Sequence, residues 1–512
     1  MSAEEKTGTE PEISTKNALE ECGEAEEDDS YEDIEYYGIG YDDIENVNYY
    51  NRGGHHPVHL GDILNGQYEV VHKLGSGGFG LVWLCQHTVT KKWSAIKITA
   101  ADHSAEGKEK TIYDHLLRIS SSQKLKENHL LMPSDQFWIE GPNGRHYCLV
   151  LPVMGQTAWS WATDKTIGRI HDDVRKVCAQ IVQGVRFLHR YGVCHGDLKP
   201  GNVLMEVQGL DELSKDQMLQ LLGDPKTCEI ETESGKPPGS RAPKYVVVPS
   251  WNAWWEGRTV SSAAIIDFSA SFLASDPPDL YSMSLGYAPP EVIWRKTFQP
   301  GPHSDIWSLA VTLYEMIGHG SLFAEGDITS TLSSFELFLG GLPEPYRSVR
   351  RADRCAATGR PVPDLAKDLS IDEAEWEKFP LTSKWNELLE WRERFVKETG
   401  YSDHLEASLG GERQYSPNIG NKDLTGEERY KTIKHKLPRE DVLEFSDLFR
   451  KMLRYDPTKR MNIDKVISHP CIKKTSSSLI AISSIMDRIP PKEAAGVSAI
   501  LRGKQAIGDS EF

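Results

Sequence analysis

Eight consecutive residues, His195-Gly-Asp-Leu-Lys-Pro-Gly-Asn202, constrain this chain more than any other stretch. They place a carboxylate, an ammonium and an amide in one short segment. That trio suits phosphoryl transfer: Asp197 to accept a hydroxyl proton, Lys199 to offset charge on the transferring phosphate, and Asn202 to hold a magnesium ion. If this reading is right, a nucleotide-holding element must lie elsewhere in the chain and fold back onto the segment.

A candidate lies upstream. Leu74, Gly75, Ser76, Gly77, Gly78, Phe79, Gly80 and Val82 form a G-x-G-x-x-G-x-V run between two β-rich segments. Its glycines let the backbone turn tightly and approach phosphates without a Cβ clash. The pattern alone is weak, and a dinucleotide-binding turn is its rival. That rival needs a helix directly after the glycines and an acidic residue about 20 positions on. Here a β-rich run follows, so strand–loop–strand is the expectation.

Ser94-Ala95-Ile-Lys97 comes next, then Glu106-Gly-Lys-Glu109, and, beyond the eight-residue segment, Ala263-Ala-Ile-Ile-Asp267-Phe-Ser269. Further on stand Gly286-Tyr-Ala-Pro-Pro-Glu291, Ser304-Asp305-Ile-Trp307 and Asp456-Pro-Thr-Lys-Arg460. In this order the motifs resemble those of eukaryotic protein kinases. The resemblance implies an α+β, bilobal fold with a small β-rich lobe and a large, mainly helical lobe.

It also implies roles. Lys97 pairs the nucleotide's α/β-phosphates, and Glu109 braces it from the next helix. Glu109 is preferred because Ile112 and Leu116 continue its helical face, with Glu106 as the alternative. Asp267 and Asn202 hold magnesium, Asp305 braces the catalytic-loop backbone, and Glu291 ion-pairs with Arg460. Cys148-Leu-Val-Leu-Pro-Val-Met154 resembles the hinge strand, which adds Ala95 and Met154 to the adenine site.

Two departures stand out. The arginine expected after His195 is Gly196, and the glycine expected after Phe268 is Ser269. In regulated kinases that arginine grips a phosphorylated activation loop. Activity is therefore expected not to depend on phosphorylating Ser271, Ser275, Tyr281, Ser282 or Ser284.

The lead-in Gly53-Gly-His-His-Pro-Val-His-Leu-Gly-Asp62 and Val82-Trp-Leu-Cys85 resemble the SR-protein kinase branch, in its divergent, fungal type. That implies ATP and magnesium as cofactors and a protein serine, in an arginine–serine-rich substrate, as acceptor. The other reading is a pseudokinase scaffold that binds ATP or partners without transfer. Ser269 and Gly196 favour the scaffold; the intact polar positions favour the enzyme.

Composition sets the remaining expectations. Residues 1–50 carry 17 acidic and 2 basic side chains, against a net charge of −18 for the whole chain. They read as an acidic disordered tail, with a decoy for basic substrates as the sharper alternative and Tyr36–Tyr41 docking on the small lobe. Residues 51–67 read as a lead-in and 68–475 as the kinase domain, with its small lobe at 68–155 and its large lobe at 156–475. Inserts are placed at 206–262 and 342–440, and a C-terminal tail at 476–512.

An apolar stripe from Asp172 to Arg190 predicts a core helix, and Asp211–Leu222 an amphipathic one. Trp251, Trp254 and Trp255 are expected to pack on the large lobe. No apolar run reaches membrane length, no basic patch calls for nucleic acid, and no C-x-x-C pair suggests zinc. The expectation is a monomeric intracellular protein of cytoplasm or nucleus.

Overall fold

The computed structural model describes residues 34–36, 44–163, 172–232, 238–250, 257–279, 283–294, 299–318, 320–344, 346–348, 394, 396–397, 400–411, 413–415 and 433–473. Trp251, Trp254, Trp255, Trp376, Trp385, Trp391 and the apolar run at 479–486 lie outside them, as do Tyr281 and Ser282.

The β-rich half is a six-stranded antiparallel sheet. Its spatial order is Ile63–Leu64, Tyr68–Gly77, Gly80–His87, Trp93–Thr99, Gly144–Leu151 and Asp135–Gly141. The central strand Trp93–Thr99 is buried at every position but Ser94, so both sheet faces are covered and a near-continuous apolar run is what it needs. Register sets Val82 opposite Lys97, Lys97 opposite Leu149, and Ala95 opposite Leu151. The helix Lys108–Ile119 buries Glu109, Ile112, Tyr113 and Leu116, the face expected from their spacing.

The helical half is built around Pro302–Gly318, which is buried from Ser304 through Gly318, with Asp305, Ser308, Thr312 and Glu315 as polar residues among its apolar ones. Against it lie Asp172–Arg190, over the span the stripe predicts, and Arg439–Met452. Their apolar faces merge into one large core with Leu405, Ala407 and Leu409.

Three boundaries differ from the sequence reading. Residues 44–50 are not tail: Val47, Tyr50 and Glu45 are buried, and Val47–Tyr49 is a 3-10 turn capped by Asn46. Acidic composition hid this, because the carboxylate of Glu45 has a buried lysine partner, Lys73. Ile34–Tyr36 is likewise a strand, although residues 37–43 lie outside the description.

The first insert is shorter than 206–262, and it sits on the small half. Val203–Val207 and Thr259–Ile265 pair in one antiparallel ladder, so the chain departs at Gln208 and returns at Arg258. Between them Asp211 Oδ1 accepts from Trp93 N at 3.1 Å and Leu213 O accepts from Trp93 Nε1 at 3.0 Å. The helix is Lys215–Leu222 rather than 211–222, because Ser214 and Gln217 form a capping box that starts it there. Leu210 and Met218 pack with Val71, Leu84, Trp93 and Ala95. Strands Thr227–Thr232 and Tyr245–Val247 join Ile34–Tyr36 in a small sheet whose apolar face meets Leu64, Tyr68 and Val70.

The second insert also contracts. His404–Gly410 is a helix capped by Asp403 and buried in the large core, so it is scaffold rather than insert. Among the described residues no helix is long and apolar enough to cross a membrane.

Candidate active site

The strand pair Tyr68–Gly77 and Gly80–His87 presents the glycine-rich turn with open space over Gly77 and Gly78. Gly80 is a glycine for a steric reason, since a Cβ there would stand 2.3 Å from Ile98 O. Leu74, Val82, Ala95 and Leu151 share one apolar cluster with Val153, which fits a slot for a flat aromatic base. Met154 follows Val153 in the link between the halves and is half-buried.

Lys97 lies below this slot. Its Nζ is 2.8 Å from Glu109 Oε1 and 2.8 Å from Asp267 Oδ1. Burial works against the ammonium, but Asp267 and Glu109 outweigh it and hold its pKa above the ordinary lysine value. Burial also opposes the Asp267 carboxylate, yet Lys97 holds that group well below the usual range. Burial raises Glu109, and Lys97 offsets part of the rise. The three charges sum to −1, so the cluster favours one further cation. Glu106 instead pairs with Lys108 at the surface, so of the two glutamates it is Glu109 that meets Lys97.

Asp197 belongs to a second polar cluster. Lys199 Nζ is 2.7 Å from Asp197 Oδ2, and Asn202 Nδ2 donates to the same oxygen at 3.0 Å and to Asp197 O at 2.8 Å. Asp197 Oδ1 is buried and has no hydrogen-bond partner among the described residues. Asp267 has a left-handed backbone, with φ +63°, a strained conformation for a non-glycine residue and one that recurs at functional sites. His195 Nε2 meets Ile266 O at 3.0 Å and ties the two clusters together.

The scaffold beneath is charged and buried. Asp305 accepts from the backbone N–H groups of His195 at 2.7 Å and Gly196 at 3.0 Å, and meets His189 Nε2 at 3.0 Å. Burial alone would raise Asp305, but His189, His195 and the Gly196 N–H together depress it. Arg460 grips Glu291 with both terminal nitrogens at 2.6 Å, and Ser304 Oγ adds a third bond at 3.0 Å.

Residues 68–216 and 258–472 match the protein kinase domain family model, more than half of the chain. The chain belongs to the protein kinase family. Serine/threonine-protein kinase spk-1 of Caenorhabditis briggsae is 34% identical over 185 residues, 35% of this chain and 16% of that one. SRSF protein kinase 3 of Homo sapiens is 35% identical over 177 residues, 33% of this chain and 30% of that one. Serine/threonine-protein kinase SKY1 of Saccharomyces cerevisiae is 31% identical over 192 residues, 36% and 25%. The matched stretches thus span 16–30% of these relatives' own lengths, and they carry the resemblance to the SR-protein kinase branch.

Three contributors escaped the sequence reading. His189 ends the helix before the catalytic loop, and only its position on the helix face turned toward Asp305 marks it out. Tyr287 OH donates to Glu315 Oε2 at 2.7 Å in a buried pair beside the activation segment. Ser271 is the third. It is 4% exposed and donates to His195 O at 2.8 Å, so it is a brace of the catalytic loop and no phosphate acceptor.

Gly196 also has a reason beyond a missing arginine. Its φ is +80°, and a Cβ would stand 2.3 Å from Ala270 O. Gly196→Arg should therefore not restore phosphate-gated control. The left-handed backbone alone costs a non-glycine residue about 1–2 kcal/mol, and the clash adds to that. Urea unfolding and activity before and after phosphatase treatment test the point; a variant as stable as wild type and newly sensitive to phosphatase would refute it.

Proposed function

We propose that the chain is a serine/threonine protein kinase that transfers the γ-phosphate of ATP to serines of arginine–serine-rich protein segments. The observation carrying this reading is that Lys97, Glu109 and Asp267 form one charge cluster while Asp197, Lys199 and Asn202 form another, joined through His195. Under it, the base of ATP takes the slot between Val82, Ala95 and Leu151, and Lys97 meets the α/β-phosphates. Asp197 Oδ1 receives the proton of the serine hydroxyl, and Lys199 neutralises charge developing on the γ-phosphoryl oxygens. Positioning and electrostatics supply most of the rate.

Magnesium fits the residues available. Lys97 Nζ and the Ser269 N–H both meet Asp267 Oδ1, and the carboxylate, held ionised by Lys97, keeps lone pairs with which to take a cation. Asn202 commits its amide N–H₂ to Asp197, which leaves its carbonyl oxygen as the second donor. A carboxylate and an amide oxygen are hard ligands of the kind magnesium takes. Bound there, the metal would offset phosphate charge.

The serine acceptor and the arginine–serine preference rest on likeness to proteins named as SRSF and serine/threonine kinases, of which this chain matches only part. A reducing compartment inside the cell suits the six described cysteines, all buried and free. The scaffold reading is weaker, because none of the six polar side chains is missing or turned out of its cluster. Incubation with labelled ATP, magnesium and an arginine–serine repeat peptide tests the proposal. Label on peptide serine, lost in Asp197→Asn, is the expected result; nucleotide binding with no label on any protein would establish the scaffold instead.

A further inference from the structure

Lys73 precedes Leu74 and Gly75, at the root of the glycine-rich turn, and it is fully buried. Its ammonium pairs with Glu45 Oε2, with the two side chains 0% and 2% exposed, and lies 5.6 Å from the centre of the Trp83 ring. The other carboxylate oxygen, Glu45 Oε1, accepts from Tyr50 OH at 2.7 Å. Lys73 N donates to His72 Nδ1 at 2.8 Å, and Lys73 O accepts from Ser250 N at 3.0 Å. Glu45 belongs to the segment before the catalytic domain and Ser250 to the first insert, so two added segments hold one residue.

The strand is irregular at this point. Its pairing with Gly80–His87 shifts register between Val70 and His72 and again between Lys73 and Gly75. A ladder broken on both sides of a residue gives that residue little directional support. A buried ion pair is a poor source of net stability, since an apolar pair of similar volume often serves as well, but it can select one arrangement over its neighbours. Here the arrangement it selects is the bend that carries Leu74 and Gly75 over the cleft.

We propose that Glu45, acting through Lys73, is a positioning residue for the glycine-rich turn and sets nucleotide affinity from outside the catalytic domain. The inference rests on the cleft being an ATP site. Its test uses the full chain, a fluorescent ATP analogue and steady-state rates with an arginine–serine peptide. Glu45→Gln should raise the Kd and KM for ATP about tenfold, with kcat and the peptide KM within about twofold. The pair Glu45→Leu with Lys73→Met removes both charges of this buried pair, so it serves as the second variant should Glu45→Gln fail to fold. It should match wild type in urea unfolding and still bind nucleotide about tenfold more weakly.

Wild-type nucleotide affinity in that apolar pair overturns the proposal and reduces Glu45 to packing. A parallel fall in kcat and peptide affinity in both variants overturns it too, as a sign of general distortion. If wild type binds nucleotide and Glu45→Gln binds it equally well, this proposal alone fails. If wild type binds none, it fails together with the ATP reading.

Discussion

Asp197→Asn is expected to slow phosphoryl transfer by about 10²–10⁴-fold, the usual worth of a positioned general base. Thermal stability and nucleotide affinity should stay near wild type. One oxygen of Asp197 is committed to Lys199 at 2.7 Å and Asn202 at 3.0 Å, and the other is buried without a partner among the described residues. An unpaired buried carboxylate oxygen is costly unless something arrives to use it. A substrate hydroxyl is that something. The amide in the variant has no basic lone pair to offer and removes the counter-charge of Lys199, so both transfer groups suffer from one change. Initial rates with the peptide, set beside analogue binding, give the answer. A rate within tenfold of wild type would remove Asp197 from the role of base.

The second large effect concerns stability. Arg460→Ala should cost about 3–5 kcal/mol, because it leaves a buried carboxylate without its cation. Glu291 is 0% exposed and Arg460 7%. The guanidinium does more than pair: Nε donates to Arg454 O at 2.8 Å and Nη1 to His303 O at 2.9 Å. Three segments therefore lose a common partner at once. Replacing both members, Glu291→Gln with Arg460→Ala, should cost clearly less than the sum of the two single changes, since no net charge stays buried. Urea unfolding of the four proteins measures the coupling; strict additivity would mean the two side chains do not act as a pair.

The residues of the candidate site were legible because chemistry fixes their identity as well as their spacing. Lys97, Asp197, Asn202 and Asp267 each stand in a motif with few alternatives, and the structure brings Lys97 to Asp267 and Asn202 to Asp197. Glu109 was legible because its helical face is apolar. Glu45 was not, because it pairs with Lys73 across 28 positions with no periodicity to announce it, inside a stretch whose acidity argues for solvent. The insert was visible as an interruption, but its destination depends on Leu210, Met218 and Asp211 finding Trp93, and nothing local encodes that meeting. Gly196 was read as an absence, whereas its backbone angle and the nearby Ala270 carbonyl make glycine a requirement.

The excursion from Gln208 to Arg258 means that the peptide chain runs between the two halves three times rather than once. A mouth that gapes by swinging one half outward would have to peel Leu210 and Met218 from Trp93 and Ala95. The strap therefore opposes wide opening of the two halves, and a cut in it, with the rest intact, should free that motion.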